Sequence, residues 1–126
     1  MGAEDYSPLA LAFIGDASFS LYVRRFIIDR TADTNQMQHL ASSYVSATAQ
    51  AGFVRRFLAD GVYTEEELSW YKRGRNAKAH AAPRNASAVD YHCATGFETV
   101  WGLWAVRDDV QRMGQVWDII RTIQGE

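Results

Sequence analysis

Residues Tyr6 to Val23 run for 18 positions with one charge, Asp16, and this stretch restricts the fold more than any other part of the chain. An apolar run of that length is a membrane span, the centre of a signal peptide, or a helix buried on most of its faces. The flanks discriminate among these. Glu4 and Asp5 stand where a signal peptide carries positive charge, and Arg24 and Arg25 follow directly. A carboxylate near the middle of a spanning helix costs roughly 2.5–3.5 kcal/mol, and no second long apolar run occurs. The stretch therefore predicts a central buried helix over Leu9 to Ile28, in a soluble cytoplasmic protein with no membrane role.

Helical signals continue along the chain, whereas period-two strand patterns, repeats and low-complexity tracts do not. Asp33 with Gln36 opens a second helical stretch through Met37, Leu40, Tyr44, Val45, Phe53, Phe57 and Leu58, with a break near Gly52 and a cap at Gly61. Thr64 and Glu67 form a capping box for a third helix through Leu68 and Tyr71. Helical character fades from Gly74 to Asn85, where Pro83 disfavours helix at Ala82. Ser87 with Asp90 starts a fourth helix to about Val106, and Asp108 with Gln111 starts a fifth that ends near Gln124. The expected fold is all-α, with one basic connecting loop. A length of 126 residues suits one domain with a real core, taken here as residues 1–126. The lone Cys93 excludes an intramolecular disulfide framework and a multi-cysteine zinc site, and fits a reducing compartment.

Two carboxylates stand in unusual company. Asp16 has Ala12 and Ser20 four residues either side, with Gly15 and Ala17 adjacent. In the fourth helix, Phe97, Trp101 and Trp104 make an apolar stripe, while Glu98 lies off it with Ala94 and Gly102 one turn away on either side. Small residues let two helices approach closely, or leave room for a ligand beside the acid. A buried carboxylate must be protonated, paired with a cation or bound to a metal. One reading is a salt bridge, for example from Asp16 to an arginine of another helix. The other is a hard, oxygen-seeking ion, Mg²⁺ or Mn²⁺, which keeps several waters and takes one or two carboxylates plus substrate phosphate.

Net charge is −2, which by itself argues against a nucleic-acid binder. The distribution reverses that impression. Lys72, Arg73, Arg75, Lys78 and Arg84 fall within thirteen positions that hold no acid, and outside them eight basic face fifteen acidic side chains, a remainder of −7. The segment is either a solvated connector or a contact for the phosphate backbone, to which Lys and Arg give sequence-independent affinity. His39, His80 and His92 show no ligand spacing, and Ser18 and Ser20 lack a nucleophile elbow. The Gly74 segment lacks the second glycine and Lys-Ser/Thr ending of a phosphate loop. Cys93 reads as a buried small hydrophobe, and Arg55 and Arg56 as a solvated face.

Phe13-Ile14-Gly15-Asp16-Ala17 resembles the signature of the ribonuclease III catalytic domain, of the form E-x-x-E-F-L/I-G-D-A/S, and Ala94-Thr95-Gly96-Phe97-Glu98 falls where that family has its second acidic motif. The sequence is most similar to the Mini-III subfamily, which lacks the double-stranded-RNA-binding domain. Leu11 to Ala17, Leu21 to Arg24, Val45 to Ala47, Ala49 to Ala51 and Lys72 to Lys78 carry that resemblance in order, from about Leu9 to Ile123. It implies an all-helical homodimer that cleaves double-stranded RNA with Mg²⁺ and trims precursors of large-subunit ribosomal RNA. Carried over by position, Asp16 and Glu98 match the metal-binding catalytic acids, and Phe13 matches an aromatic at the dimer interface. Lys72, Arg73, Arg75, Asn76 and Lys78, with Arg84 beyond, match the RNA-contacting segment. Ala12 and Leu9 stand where longer relatives have glutamates, and Thr95 where they have an aspartate. Ser20 replaces a glutamate often present in Mini-III proteins. The sequence leaves open a ribosomal-protein partner and the number of ions per site. Two alternatives stay open as well: a catalytically weak RNA-binding or ribosome-assembly dimer, and a helical interaction domain whose acids form salt bridges.

Overall fold

A computed structural model of the chain describes residues 1–77 and 87–126. Those residues form a 3-10 turn at Ala3–Asp5 and six helices: α1 (Pro8–Ile27), α2 (Thr34–Val45), α3 (Ala47–Asp60), α4 (Glu65–Asn76), α5 (Ala88–Arg107) and α6 (Val110–Ile123). Among the described residues there is no β-strand, and no helix is long and apolar enough to cross a membrane.

Side-chain caps set most helix starts. Ser7 accepts a hydrogen bond from the Ala10 N–H at 3.1 Å, just before Pro8, whose missing N–H costs nothing in a first turn. Asp33 caps α2, Ser87 caps α5, and Thr64 and Glu67 complete the reciprocal box on α4. Gly61 ends α3 in the left-handed region at φ 66°.

Three boundaries depart from the sequence reading. The break expected near Gly52 falls at Ser46, whose extended backbone ends α2 while its hydroxyl caps α3. Gly52 sits inside α3 instead, since a single helical glycine costs only about 1 kcal/mol. The fifth predicted helix does not start at Asp108. That residue takes φ 53° to close α5, an aspartate being tolerant of the left-handed region, and Asp109 caps α6. Finally, α4 does not fade at Gly74 but continues to Asn76. Gly74 is buried against α5, where an added Cβ would lie 2.2 Å from the Thr99 hydroxyl oxygen, so packing overrides its low helix propensity.

Helix α5 is the axle. Phe97, Val100, Trp101, Leu103 and Trp104 are all buried, and α1, α3, α4 and α6 pack around it. Phe19 of α1 meets Phe97 and Trp101 edge-on at 4.8 and 4.9 Å, a favoured aromatic geometry. One buried charge ties three helices together. Glu67 of α4 accepts from Arg112 of α6 at 2.8 Å and from the Trp104 indole of α5 at 3.0 Å. Burial alone would raise the Glu67 carboxyl, but the Arg112 hydrogen bond and its other partners hold it below the usual range.

Candidate active site

Helices α1 and α5 touch backbone to backbone. A Cβ on Gly15 would lie 1.8 Å from the Glu98 carbonyl oxygen, and one on Gly102 would lie 1.8 Å from that of Leu11. Only glycine permits such an approach, so these two residues set both the spacing and the register of the pair. Thr99 adds a polar fastening, its hydroxyl lying 3.1 Å from the Pro8 carbonyl and 2.8 Å from that of Thr95. On the adjoining line, the Trp101 indole donates to Ser18 at 3.2 Å.

That register brings Asp16 and Glu98 together at a cleft of about 390 Å³ lined by Leu9, Ala12, Phe13, Asp16, Tyr91, Thr95 and Glu98. On α1 the lining residues follow the i, i+3, i+4, i+7 spacing of one helical face, and on α5 they follow i, i+4, i+7. Asp16 is exposed and Glu98 half-buried. Burial, the Asp16 charge and a hydrogen bond with Asp16 push the Glu98 carboxyl up to about 8, while the Gln50 amide opposes the rise. Among the described residues neither acid takes part in an ion pair, so the salt-bridge alternative for Asp16 finds no arginine there. Two carboxylates that resist joint ionisation, facing one open cleft, fit a hard divalent cation. Among the described residues no third His, Cys, Asp or Glu joins them, so much of an ion's coordination shell would fall to water and substrate.

Lys72, Arg73 and Arg75 are not on a loop, as the sequence suggested, but on the last turns of α4. Lys72, Arg73 and Asn76 are exposed and Arg75 is half-buried. The Arg73 guanidinium lies 4.2 Å from the centre of the Trp70 ring, and the Arg75 Nε donates to the Asn76 side chain at 3.1 Å. Gly74 seats this turn on Gly96 and Thr99, which flank Glu98 in sequence. Lys78, His80 and Arg84 lie outside the described residues.

The family model of the Ribonuclease III domain matches residues 9–109, a span that takes in both acids and the basic end of α4. The chain belongs to the ribonuclease III family. It is similar to proteins named Mini-ribonuclease 3 from Enterococcus faecalis (39% identity over 90% of this chain and 86% of that protein) and Streptococcus pneumoniae (42% over 83% of each). The Clostridium tetani protein of that name is 36% identical over 98% of this chain and 82% of its own length. A crystal structure of a Fusobacterium nucleatum protein has the same fold, with a TM-score of 0.83 at 25% identity over 92% of this chain and 93% of that one. The ribonuclease III family uses divalent metal ions on an RNA substrate, and this member is an endoribonuclease of that type.

In this ribonuclease, Phe13 is 79% exposed and stands at the cleft's edge. With Ile14, Leu21 and Ile28 it leaves an apolar strip on the outer side of α1. Ser20 is half-buried and outside the cleft lining, and nothing in the structure explains its identity. Arg55 and Arg56 do face solvent, though Arg55 pairs with Asp90 at 2.7 Å. Cys93 is half-buried rather than buried, and burial together with the Cys93 thiol raises the Tyr71 hydroxyl pKa.

Sequence reasoning missed Gln50. It is 2% exposed on α3, and its amide works against the rise of the Glu98 carboxyl. A lone glutamine in a helix reads as a surface residue. Its place on the line of Phe53, Val54 and Phe57, all buried, was the available signal.

Proposed function

We propose that this endoribonuclease cleaves double-stranded RNA with Mg²⁺, for which Mn²⁺ can substitute, and that Asp16 and Glu98 hold the ion and are the catalytic acids. The observation that carries the reading is the convergence of the two carboxylates, with Glu98 pushed up to about 8 by burial and by Asp16. A pair that costs energy when both members ionise binds a divalent cation in preference to standing empty. The bound ion would lower the pKa of an attacking water and offset charge on the phosphate. The protein's own part is to hold the acids at a fixed spacing and to deliver the phosphate. Lys72, Arg73, Arg75 and Asn76, with Lys78 and Arg84, contact the RNA backbone and offset its repulsion from an acidic body.

The working form is a homodimer joined through the exposed apolar strip of α1 around Phe13, which gives one acid cleft per strand of a duplex. Residues 1–126 act as one catalytic domain, in the cytoplasm, on a precursor of large-subunit ribosomal RNA, with a ribosomal protein as an accessory partner. Similarity to proteins named Mini-ribonuclease 3 supports this reading.

The test is incubation of duplex RNA with the protein in Mg²⁺ or EDTA, beside Asp16→Asn and Glu98→Gln. Cleavage that needs Mg²⁺ and is lost in both variants is expected. Cleavage surviving both substitutions overturns the site, and binding without cleavage by the wild type overturns the activity.

A further inference from the structure

The acid cleft has to seat a polyanion, yet its walls supply few groups that can hold one. Leu9, Ala12 and Phe13 of α1 are apolar, Asp16 and Glu98 are acids, and among the described residues no basic side chain lines the cleft. An ion on the acids serves the phosphate that is cut. The neighbouring phosphates of the same strand need hydrogen-bond donors of their own, and the lining holds two hydroxyls, those of Thr95 and Tyr91. Thr95 has spent its proton, donating to the Tyr91 carbonyl at 3.0 Å. The Tyr91 hydroxyl takes part in no hydrogen bond among the described residues, and its side chain is half-buried. A phenol suits the place, because it donates without carrying a charge. A lysine or arginine there would also hold phosphate, but it would repel the ion that the acids bind.

Tyr91 is also well supported. It lies in the first turn of α5, which Ser87 caps by accepting from the Asp90 N–H at 3.0 Å, and Arg55 of α3 pairs with Asp90 at 2.7 Å. The His92 ring stands edge-on to the Tyr91 ring, with centres 5.6 Å apart. Tyr91, Thr95 and Glu98 follow i, i+4, i+7 along one face of α5, so Tyr91 stands two turns, about 10 Å, before Glu98. Side chains on a helix lean the same way, toward its N-terminus. The separation therefore persists beyond the backbone, and the phenol serves a neighbouring phosphate rather than the one at the acids.

We propose that Tyr91 is an RNA-contacting residue whose phenol donates a hydrogen bond to a phosphate flanking the cut, and so fixes which bond of the strand lies over Asp16 and Glu98. The proposal rests on the reading of this cleft as the place where RNA is cleaved. It gives the site a contact that holds the strand in register independently of the basic turn of α4.

The test uses Tyr91→Phe, which removes only the hydroxyl. Binding of uncut duplex RNA is measured in EDTA in an Asp16→Asn background. There Tyr91→Phe should weaken affinity about tenfold, the size of a hydrogen bond to a charged group, with the melting temperature unchanged. The slope of log affinity against log salt should stay the same, because a phenol releases no counterion. Unchanged affinity, with or without a lower melting temperature, overturns the proposal. A second measurement locates the contact. A neutral methylphosphonate is placed in turn at each phosphate flanking the mapped cut, and cleavage in Mg²⁺ is compared between the wild type and Tyr91→Phe. At one of these positions the change should cost the wild type about tenfold more in kcat/KM than it costs Tyr91→Phe, which has no hydrogen bond there to lose. Equal losses for both proteins at every flanking phosphate overturn the proposal. Asp16→Asn and Glu98→Gln separate the two levels. If both cleave like the wild type, the reading of the cleft fails and the role of Tyr91 falls with it. If both are inactive while Tyr91→Phe binds and cleaves like the wild type, only the role of Tyr91 fails.

Discussion

Gly102→Ala tests the helix contact on which the cleft depends. The added methyl would sit 1.8 Å from the Leu11 carbonyl oxygen and 2.6 Å from its carbon, against 3.4 Å for ordinary contact, so relief requires movement of about 1.6 Å. The obstructing atoms belong to the backbone, and no rotamer change removes them. Overpacking of this kind costs about 1–3 kcal/mol, and the upper end applies because both partners are main chain. Alanine returns about 1 kcal/mol through its better helix propensity. The net loss is about 2 kcal/mol, which lowers the melting temperature of a domain this size by roughly 8 °C. Activity should suffer more than stability, because Gly102 lies one turn beyond Glu98, and a displacement near 1 Å at reacting groups costs about 100-fold. Thermal melting and kcat/KM on duplex RNA read the two effects. Gly114→Ala is the control, since a Cβ there meets nothing within 4 Å, and it should match or slightly exceed the wild type in stability. A Gly102→Ala protein that melts and cleaves like the wild type would show that close approach of α1 and α5 does not set the site.

Other outcomes follow from the charges and the exposed strip. Glu98 stands at about 8 in the folded, metal-free protein against an ordinary 4.5, so between those values the unfolded chain has already lost a proton that the folded one keeps. Stability without metal is therefore greatest at and below about pH 4.5 as far as this group goes, and falls as pH rises through 8. Glu98→Gln should flatten that decline in denaturant titrations. By the same linkage, Mg²⁺ binding near pH 7 should release close to one proton, seen by calorimetry in buffers of different ionisation heat. A proton count near zero would show that Glu98 is ionised before the ion arrives. Arg73→Ala and Arg75→Ala should each reduce the slope of log affinity for duplex RNA against log salt by about 0.7–0.9, whereas an unchanged slope makes that turn of α4 a plain solvated surface. Leu21→Asp, in the apolar strip of α1, should give a monomer by sedimentation with its fold intact. A dimer unaffected by it places the interface elsewhere.

Local chemistry made much of this fold legible in advance. The caps at Asp33, Thr64 and Ser87 act on the nearest turn, so their signals survive in one dimension. Asp16 and Glu98 stood out because each is an acid among small residues, and two of those, Gly15 and Gly102, proved to be the contact between their helices. What stayed hidden depends on a partner distant in sequence. Gly74 looked like a helix breaker because nothing near it reveals that Thr99 and Gly96 need its missing side chain. Ser46 outranked Gly52 as a break because its hydroxyl served the next helix. Gln50 was silent because nothing near it in sequence reveals that tertiary packing buries it. Lys72, Arg73 and Arg75 were identified by charge, but their helical setting could not be read while Gly74 was misjudged.

The enclosure of α5 has a consequence for motion. A helix wrapped by four others cannot fray by itself, and amides along Phe97 to Trp104 should exchange with solvent only when the whole core opens. Glu98 rides on that helix. The proton that Glu98 keeps beside Asp16 is therefore tied to global unfolding rather than to a small local opening. An ion that binds the native acids should slow exchange throughout the core, including positions far from the cleft, by the factor with which it stabilises the native state.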